Sequence, residues 1–155
     1  MYKILVPVDG SEHSSKTIQE AIRRAEPVQA EVTLLHVAES PTYSDYIKIG
    51  LPTGDENIDG EKLRKSLDSL EKEIEDKASL VLDEAAQAFK EKNLTVEKIR
   101  KKGRPADVIC SEAEKGAFDL AIIGNKGMGA LGGIFMGSVA NETIHCIKNR
   151  VLVVK

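Results

Sequence analysis

Apolar residues gather along this chain in short blocks, separated by polar stretches that carry the glycines and prolines. Residues 2–8 (YKILVPV) form the first block, closed by Asp9 and Gly10, and predict a buried strand. Behind Ser11, a candidate helix N-cap with Glu12 at the positive end of the dipole, Ile18, Ala21, Ile22 and Ala25 step at helical spacing until Pro27 stops them. Residues 31–37 (EVTLLHV) predict a second strand. Between 38 and 60 the pattern dissolves into Ser, Pro, Thr, Tyr, Gly and Asp, an irregular insert that is long for a loop. From 61 to 92, Leu63, Leu67, Leu70, Ile74, Ala78, Val81, Ala85 and Ala88 step by three or four and give one long helix a single apolar face. Either that helix simply caps the sheet, or its first half overhangs toward the insert or another subunit. Residues 94–100 (LTVEKIR) alternate apolar and polar, as an edge strand does, and Pro105 opens a further helix with Val108, Ile109 and Ala113 inside. Residues 119–124 (DLAIIG) predict a fourth strand, 138–147 a last helix and 151–154 a last strand.

Strand and helix alternate throughout, and each crossover is long enough to return a parallel strand. The expected fold is therefore α/β, a parallel sheet covered on both faces. In such sheets ligands bind beyond the carboxyl ends of the strands, where the strand order reverses. The turns after the first and fourth strands are the candidates. With 155 residues, no internal repeat and no linker, residues 1–155 read as one domain.

Charge and composition narrow the picture. A net charge of −3 disfavours nonspecific DNA binding, and the one basic cluster (Lys98, Arg100, Lys101, Lys102, Arg104) has no interleaved aromatic residue to stack on bases. It reads as a solvated strand end, so neither nucleic acid nor a membrane is expected as a partner. The opening residues show no signal-peptide pattern, and no apolar run approaches the roughly 20 residues that span a bilayer. Cys110 and Cys146 lie far apart in sequence, in apolar stretches, and are expected to pack as small hydrophobes and not to form a disulfide or a zinc site. A reducing cytoplasm is the expected location.

The chemistry concentrates in residues 124–138, GNKGMGALGGIFMGS, with six glycines in fifteen positions. The segment follows a buried strand and opens a helix, so backbone N–H groups and a helix N-terminus converge into an anion site. Glycine suits such a loop because a β-carbon would block positive φ and hold a phosphate away. A Walker A loop would end Gly-Lys-Ser/Thr, whereas this one ends Met136-Gly137-Ser138. Residues 127–132 match G-x-G-x-x-G, but the position after the fourth strand and the lack of an acid at Val151-Leu152 mark that match as accidental.

What fits is Gly124-x-x-Gly127, nine residues, then Gly137-Ser138. With ILVPVDGSEHS at the start, LLHV in the second strand, GRPADVI at a helix start and DLAIIGNKG before the loop, the sequence resembles the universal stress protein family in its ATP-binding branch. The resemblance implies a three-layer α/β/α sandwich, Rossmann-like and similar to the adenine nucleotide α-hydrolases, with a five-stranded parallel sheet of order 3-2-1-4-5. It implies ATP, or AMP or ADP, as ligand, with Mg²⁺ or Mn²⁺ carried on the phosphates and no assured protein side chain as metal ligand. By position, Pro7, Val8, Asp9 and Val37 resemble adenine and ribose contacts. Ile123, Gly124, Lys126 and Gly127 resemble ribose and first-phosphate contacts, and Gly137, Ser138, Val139 and Ala140 the distal-phosphate contacts. Lys126 replaces a frequent His or Arg, and Ala140 a frequent Ser or Thr, for which Asn141 is a candidate substitute. Asp9 and Ser138 also have a plain alternative as helix caps.

His36, inside an apolar strand, reads as a satisfied core residue, and His13 and His145 have no second ligand at usable spacing. The resemblance implies a regulatory, stress-response protein with an unknown protein partner. An α-hydrolase-like enzyme, a slow ATPase and a non-nucleotide-binding dimeric module are the alternatives. Efficient catalysis is not expected: Asp9, Lys126 and Glu142 surround the loop, but the sequence assures no catalytic residue. The apolar last strand, Val151, Leu152, Val153 and Val154, is expected to pair with its copy in a homodimer. Arg150 stands where relatives often carry Pro.

Overall fold

The computed structural model describes residues 1–50, 59–127 and 136–155. Five strands, β1 (Lys3–Pro7), β2 (Glu31–Ala38), β3 (Val96–Lys102), β4 (Leu120–Gly124) and β5 (Arg150–Val154), form one parallel sheet of order β3-β2-β1-β4-β5. Register is continuous from Lys3↔Glu31 to Pro7↔Leu35 between β1 and β2, and from Leu120↔Arg150 to Gly124↔Val154 between β4 and β5. The helices are α1 (Glu12–Ala25), α2 (Tyr43–Lys48), α3 (Gly60–Lys90), α4 (Pro105–Lys115) and α5 (Ser138–Cys146).

The strand alternation sorts the core into two layers. Ile4, Val6, Val32, Leu34 and Ile122 project to one face, where Ala21 and Ala25 of α1 and Leu82, Ala85, Ala86 and Phe89 of α3 cover them. Leu5, Leu35, Ala121 and Ile123 project to the other, under Ile109 and Ala113 of α4 and Ala140 of α5. This is the period-2 reading of a sheet buried on both sides. The edges behave differently: on β3 only Val96 and Ile99 are partly buried, and β5 is half-buried along Val151–Val154.

Several expectations are corrected. The insert is not wholly irregular: α2 lies within it, opened by a capping box between Thr42 and Asp45. Asp59 caps α3 by accepting from the Glu61 and Lys62 amides. The rest of the insert, 51–58, lies outside the described residues. The third strand is β3, shifted two residues toward the C-terminus of the predicted span, because Asn93 turns at φ 55 and delays pairing until Val96. The buried residues of α3 begin only at Ala78, while Leu63, Leu67, Leu70 and Ile74 earlier on the stripe are half-buried. The basic cluster is largely matched by acids: Lys98 pairs with Asp83 at 2.5 Å, Lys102 with Glu71 at 3.3 Å, Lys101 with Glu112 at 3.7 Å and Arg104 with Asp107 at 3.0 Å.

The cysteine expectation also fails. Cys110 and Cys146 are joined by a disulfide, with 5.9 Å between their Cα atoms. Thirty-six residues of sequence hide the fact that α4 and α5 pack side by side on one face of the sheet.

Candidate functional site

Chain order runs β1 to β3 toward one edge, then returns to β4 on the far side of β1. The switch point therefore lies between the carboxyl ends of β1 and β4. A cavity of about 520 Å³ opens there, a size ordinary for small-molecule sites. All twelve residues singled out in the sequence line it. Pro7, Val8 and Asp9 come from the end of β1, Val37 from β2, and Ile123, Gly124, Lys126 and Gly127 from β4 and its turn. Gly137, Ser138, Val139 and Ala140 come from the start of α5. The nine-residue span and the G-x-G-x-x-G match fall mostly on residues 128–135, outside the described residues.

Asp9 stands two residues before the Ser11 N-cap, so it organises the turn leading into α1 and does not cap the helix itself. Its Oδ1 accepts from the Ser11 amide at 3.0 Å and from the Ser14 hydroxyl at 2.7 Å. Ser11 occupies the N-cap position with extended backbone, but its side chain makes no capping bond, and its Oγ is buried without a hydrogen-bond partner among the described residues. The other edge of the Asp9 carboxylate faces the glycine loop: a β-carbon at Gly127 would lie 2.6 Å from Asp9 Oδ2. Thus the two turns meet at the carboxylate.

The other end of the glycine segment is held by backbone. Asn125 donates its amide to the Val154 carbonyl at 2.7 Å, and its own carbonyl accepts from the Gly137 amide at 2.8 Å. The first turn of α5 is thereby fixed beside the β4 turn. Gly137, and not Ser138, is the N-cap, and as a glycine it supplies no side-chain capping bond. The first regular bond of the helix is Asn141 N–H to the Gly137 carbonyl, so the early amides of α5 are available as anion donors.

At Gly127 and Gly137, positive φ is not the reason for glycine. Neither Gly127 nor Gly137 has a left-handed φ, and Gly137 sits at φ −63, ψ 152, where any residue fits. Close approach is the constraint: a β-carbon at Gly137 would lie 3.1 Å from the Asn125 carbonyl oxygen. Ala140, expected near phosphate, is 3% exposed and belongs to the core layer with Leu5 and Ile123. A larger polar residue there would have to displace that packing. Asn141 is exposed and outside the cavity lining, its carbonyl bonded by His145 Nδ1 at 2.6 Å, so it does not substitute. Glu142 pairs with Arg104 and also lies outside the lining.

Other lining residues escaped sequence reasoning. Asn125 stands at an unspecified position of the loop motif, yet it is 8% exposed and its Oδ1 is buried without a partner among the described residues. A bound hydroxyl, amine or water would satisfy that acceptor. His36 is a core residue as expected, its Nδ1 at 2.8 Å from the Val8 carbonyl, but it too borders the cavity. Ile74 and Lys77 arrive from α3 and Pro105 and Ile109 from α4, placements that only packing creates. Among the described residues no three His, Cys, Asp or Glu side chains could hold a metal ion, and no helix is long and apolar enough to cross a membrane.

The model of the Universal stress protein family matches residues 1–155. The chain is 27% identical over 153 residues to universal stress protein YxiE of Bacillus subtilis, covering 99% of this chain and 98% of that one. Among solved structures, the hypothetical protein MJ0577 superposes with a TM-score of 0.78 at 25% identity, over 99% of this chain and 94% of its own. The universal stress protein of Archaeoglobus fulgidus, in complex with dAMP, superposes with a TM-score of 0.67 at 20% identity, over 100% of this chain and 98% of its own. A family protein from Arabidopsis thaliana with AMP bound gives a TM-score of 0.67 at 17% identity, over 100% of this chain and 92% of its own. Sequence, sheet order and whole-length superposition agree: this chain belongs to the universal stress protein family.

Proposed function

We propose that the cavity binds an adenine nucleotide, ATP by preference, and that the protein works as a nucleotide-dependent regulator in the stress response. One observation carries the reading. Twelve residues scattered over four segments of sequence line a single cavity at the sheet's switch point, against the N-terminus of α5. In this reading Pro7, Val8, Asp9 and Val37 contact the base and ribose. Gly124, Lys126 and Gly127 contact ribose and the first phosphate, and the amides of Ser138, Val139 and Ala140 the distal phosphates. The dAMP and AMP held by two structural neighbours support the adenine part of the reading.

The residues present fit such a ligand. Asn125 Oδ1 is an orphaned buried acceptor at the cavity, and the glycines at 127 and 137 leave room where a β-carbon would intrude. A magnesium or manganese ion would be carried on the phosphates, and the Ser138 hydroxyl, which lines the cavity, could share it. Rapid hydrolysis is not part of the proposal. Asp9 Oδ1 accepts from Ser11 and Ser14, and Glu142 pairs with Arg104 outside the cavity lining. We place the protein in the cytoplasm, where ATP is available, as a homodimer paired through Val151–Val154 of β5 and meeting an unidentified protein partner.

Mass spectrometry of the supernatant from heat-denatured, purified protein tests the reading directly. Adenine nucleotide at near-stoichiometric amounts is expected. Protein that carries none and shows no thermal shift in saturating ATP would overturn it.

A further inference from the structure

We propose that Cys110 and Cys146 form a reversible dithiol–disulfide site, open to small dithiol reductants, whose state sets the affinity of the nucleotide cavity. The second half of this proposal rests on the nucleotide reading above; the redox site itself does not.

The two residues are placed for closure with little movement. Their Cα atoms are 5.9 Å apart, inside the window of about 4.4–6.8 Å that a disulfide requires. They are the only cysteines in the chain, so no other intramolecular pairing competes. Cys146 ends α5 and is exposed, while Cys110 sits half-buried in the middle of α4. Two ion pairs bracket the bridge: Arg104 with Glu142 toward the start of the helices, and Lys148 with Glu114 at 3.6 Å beyond the other side. Ile109, Ala113 and Ala140 also share one core layer beneath. The shared core layer involves neither sulfur, so the two helices stay adjacent after reduction and the bond can re-form, while no covalent link then fixes their relative position.

The exchange balances as follows. A thiolate of the dithiol attacks the exposed Cys146 sulfur, the S–S bond breaks, and Cys110 leaves as a thiolate that takes up a proton. The second thiolate of the reductant then displaces Cys146, which is protonated in turn. Two electrons have passed to the protein, and the dithiol departs as its own disulfide. A disulfide oxidant reverses each step.

The coupling follows from geometry. Pro105 and Ile109 of α4 line the cavity, as do Ser138, Val139 and Ala140 of α5. Ile109 adjoins Cys110, and α5 is a nine-residue helix, a rod of about 13 Å with the cavity at one end and Cys146 at the other. The bridge locks these two walls as one body. Ordering them before ligand arrives lowers the cost of binding, so the oxidised form should bind more tightly.

Full-length protein equilibrated in oxidised glutathione, or in dithiothreitol, is denatured and alkylated with iodoacetamide. No adduct in the first case and two in the second are expected. Two adducts in both, or a disulfide joining two chains on a non-reducing gel, overturns the redox site. Calorimetric titration with ATP should then show roughly three- to tenfold tighter binding by the oxidised form. The Cys110→Ser, Cys146→Ser double variant should match the reduced form and ignore the redox buffer. Equal affinities, or tighter binding by the reduced form, overturn the coupling while leaving the nucleotide reading intact. No ATP binding in either form overturns the coupling together with the nucleotide reading, and the alkylation count still judges the redox site.

Discussion

At the residue scale, Gly137 carries the sharpest expectation. Its backbone is ordinary, so a valine there meets no strain in φ, but its β-carbon would press on the Asn125 carbonyl 3.1 Å away. Gly137→Val should therefore still fold, at a cost of about 1–3 kcal/mol, while pushing the first turn of α5 out of place. With ATP at about 100 times its dissociation constant, linkage gives wild type roughly 2.7 kcal/mol, a rise in Tm on the order of 5–10 °C. Thermal melts should show that rise in wild type and its loss in Gly137→Val; full retention would place the nucleotide elsewhere. A second residue has a pH signature. The Thr42 hydroxyl, then the Thr42 amide and the Lys48 ammonium, hold the Asp45 carboxylate down to about 2. Since the folded value lies below the unfolded one, the capping contribution is present above about pH 4 and is lost as pH falls through 2. Carboxyl NMR titration should find Asp45 near 2, and Thr42→Ala should return it toward about 3.9.

At the scale of elements, the packing of α3 against the first turn depends on Gly10. Its φ is +78, and an added β-carbon would lie 2.7 Å from Val81 Cγ2. Left-handed strain and overpacking act together, so Gly10→Ala should cost about 2–4 kcal/mol, read as a lower urea midpoint at unchanged slope. The opposite edge of the sheet invites association. In β5, Leu152 and Val154 pack toward one core layer and Val151 toward the other. Val153, half-buried, appears in neither layer among the described residues. An apolar strand with one open edge is a template for a second copy. Sedimentation velocity should find wild type dimeric and Val153→Lys monomeric; a monomeric wild type would dismiss the β5 dimer.

For the whole molecule, the disulfide constrains the unfolded chain across a separation of 36 residues. Loop-closure entropy for that length puts the stabilisation at up to about 4 kcal/mol. Denaturation in dithiothreitol should accordingly show a lower but still cooperative transition, whereas identical curves with and without reductant would mean the bridge does not restrain the unfolded state. Turnover is the other global expectation. With Asp9 Oδ1 engaged by Ser11 and Ser14 and Glu142 by Arg104, the protein should not sustain ATP hydrolysis near the typical enzymatic rate of about 10 per second. A phosphate-release assay at that rate would expose a catalytic arrangement that the bonds of Asp9 and Glu142 do not suggest.

The order of elements and the two turns that frame the cavity were legible in the chain itself, because both depend on local chemistry. Strand blocks such as residues 2–8 and 119–124 are short apolar runs closed by turn residues, and the turn after each carries its own ligand-binding residues. Family resemblance added the strand order that sets those two turns side by side. The sequence by itself therefore determined an α/β sheet and its two candidate turns, and the family resemblance supplied twelve positions that line the cavity. What it did not determine are contacts between segments with no local signature. Cys110 and Cys146 read as two small hydrophobes because nothing near either one records that α4 and α5 lie in register. Ile74 and Lys77 belong to a helix whose apolar stripe says which face is inward, but not how far along the sheet it sits. Asn125 becomes a buried acceptor only when the Val154 carbonyl and the Gly137 amide clamp its backbone from both sides. Local propensity and periodicity act within about one turn or one strand of a residue; register, wall placement and side-chain burial follow from the joint packing of all the elements, which only the tertiary structure decides.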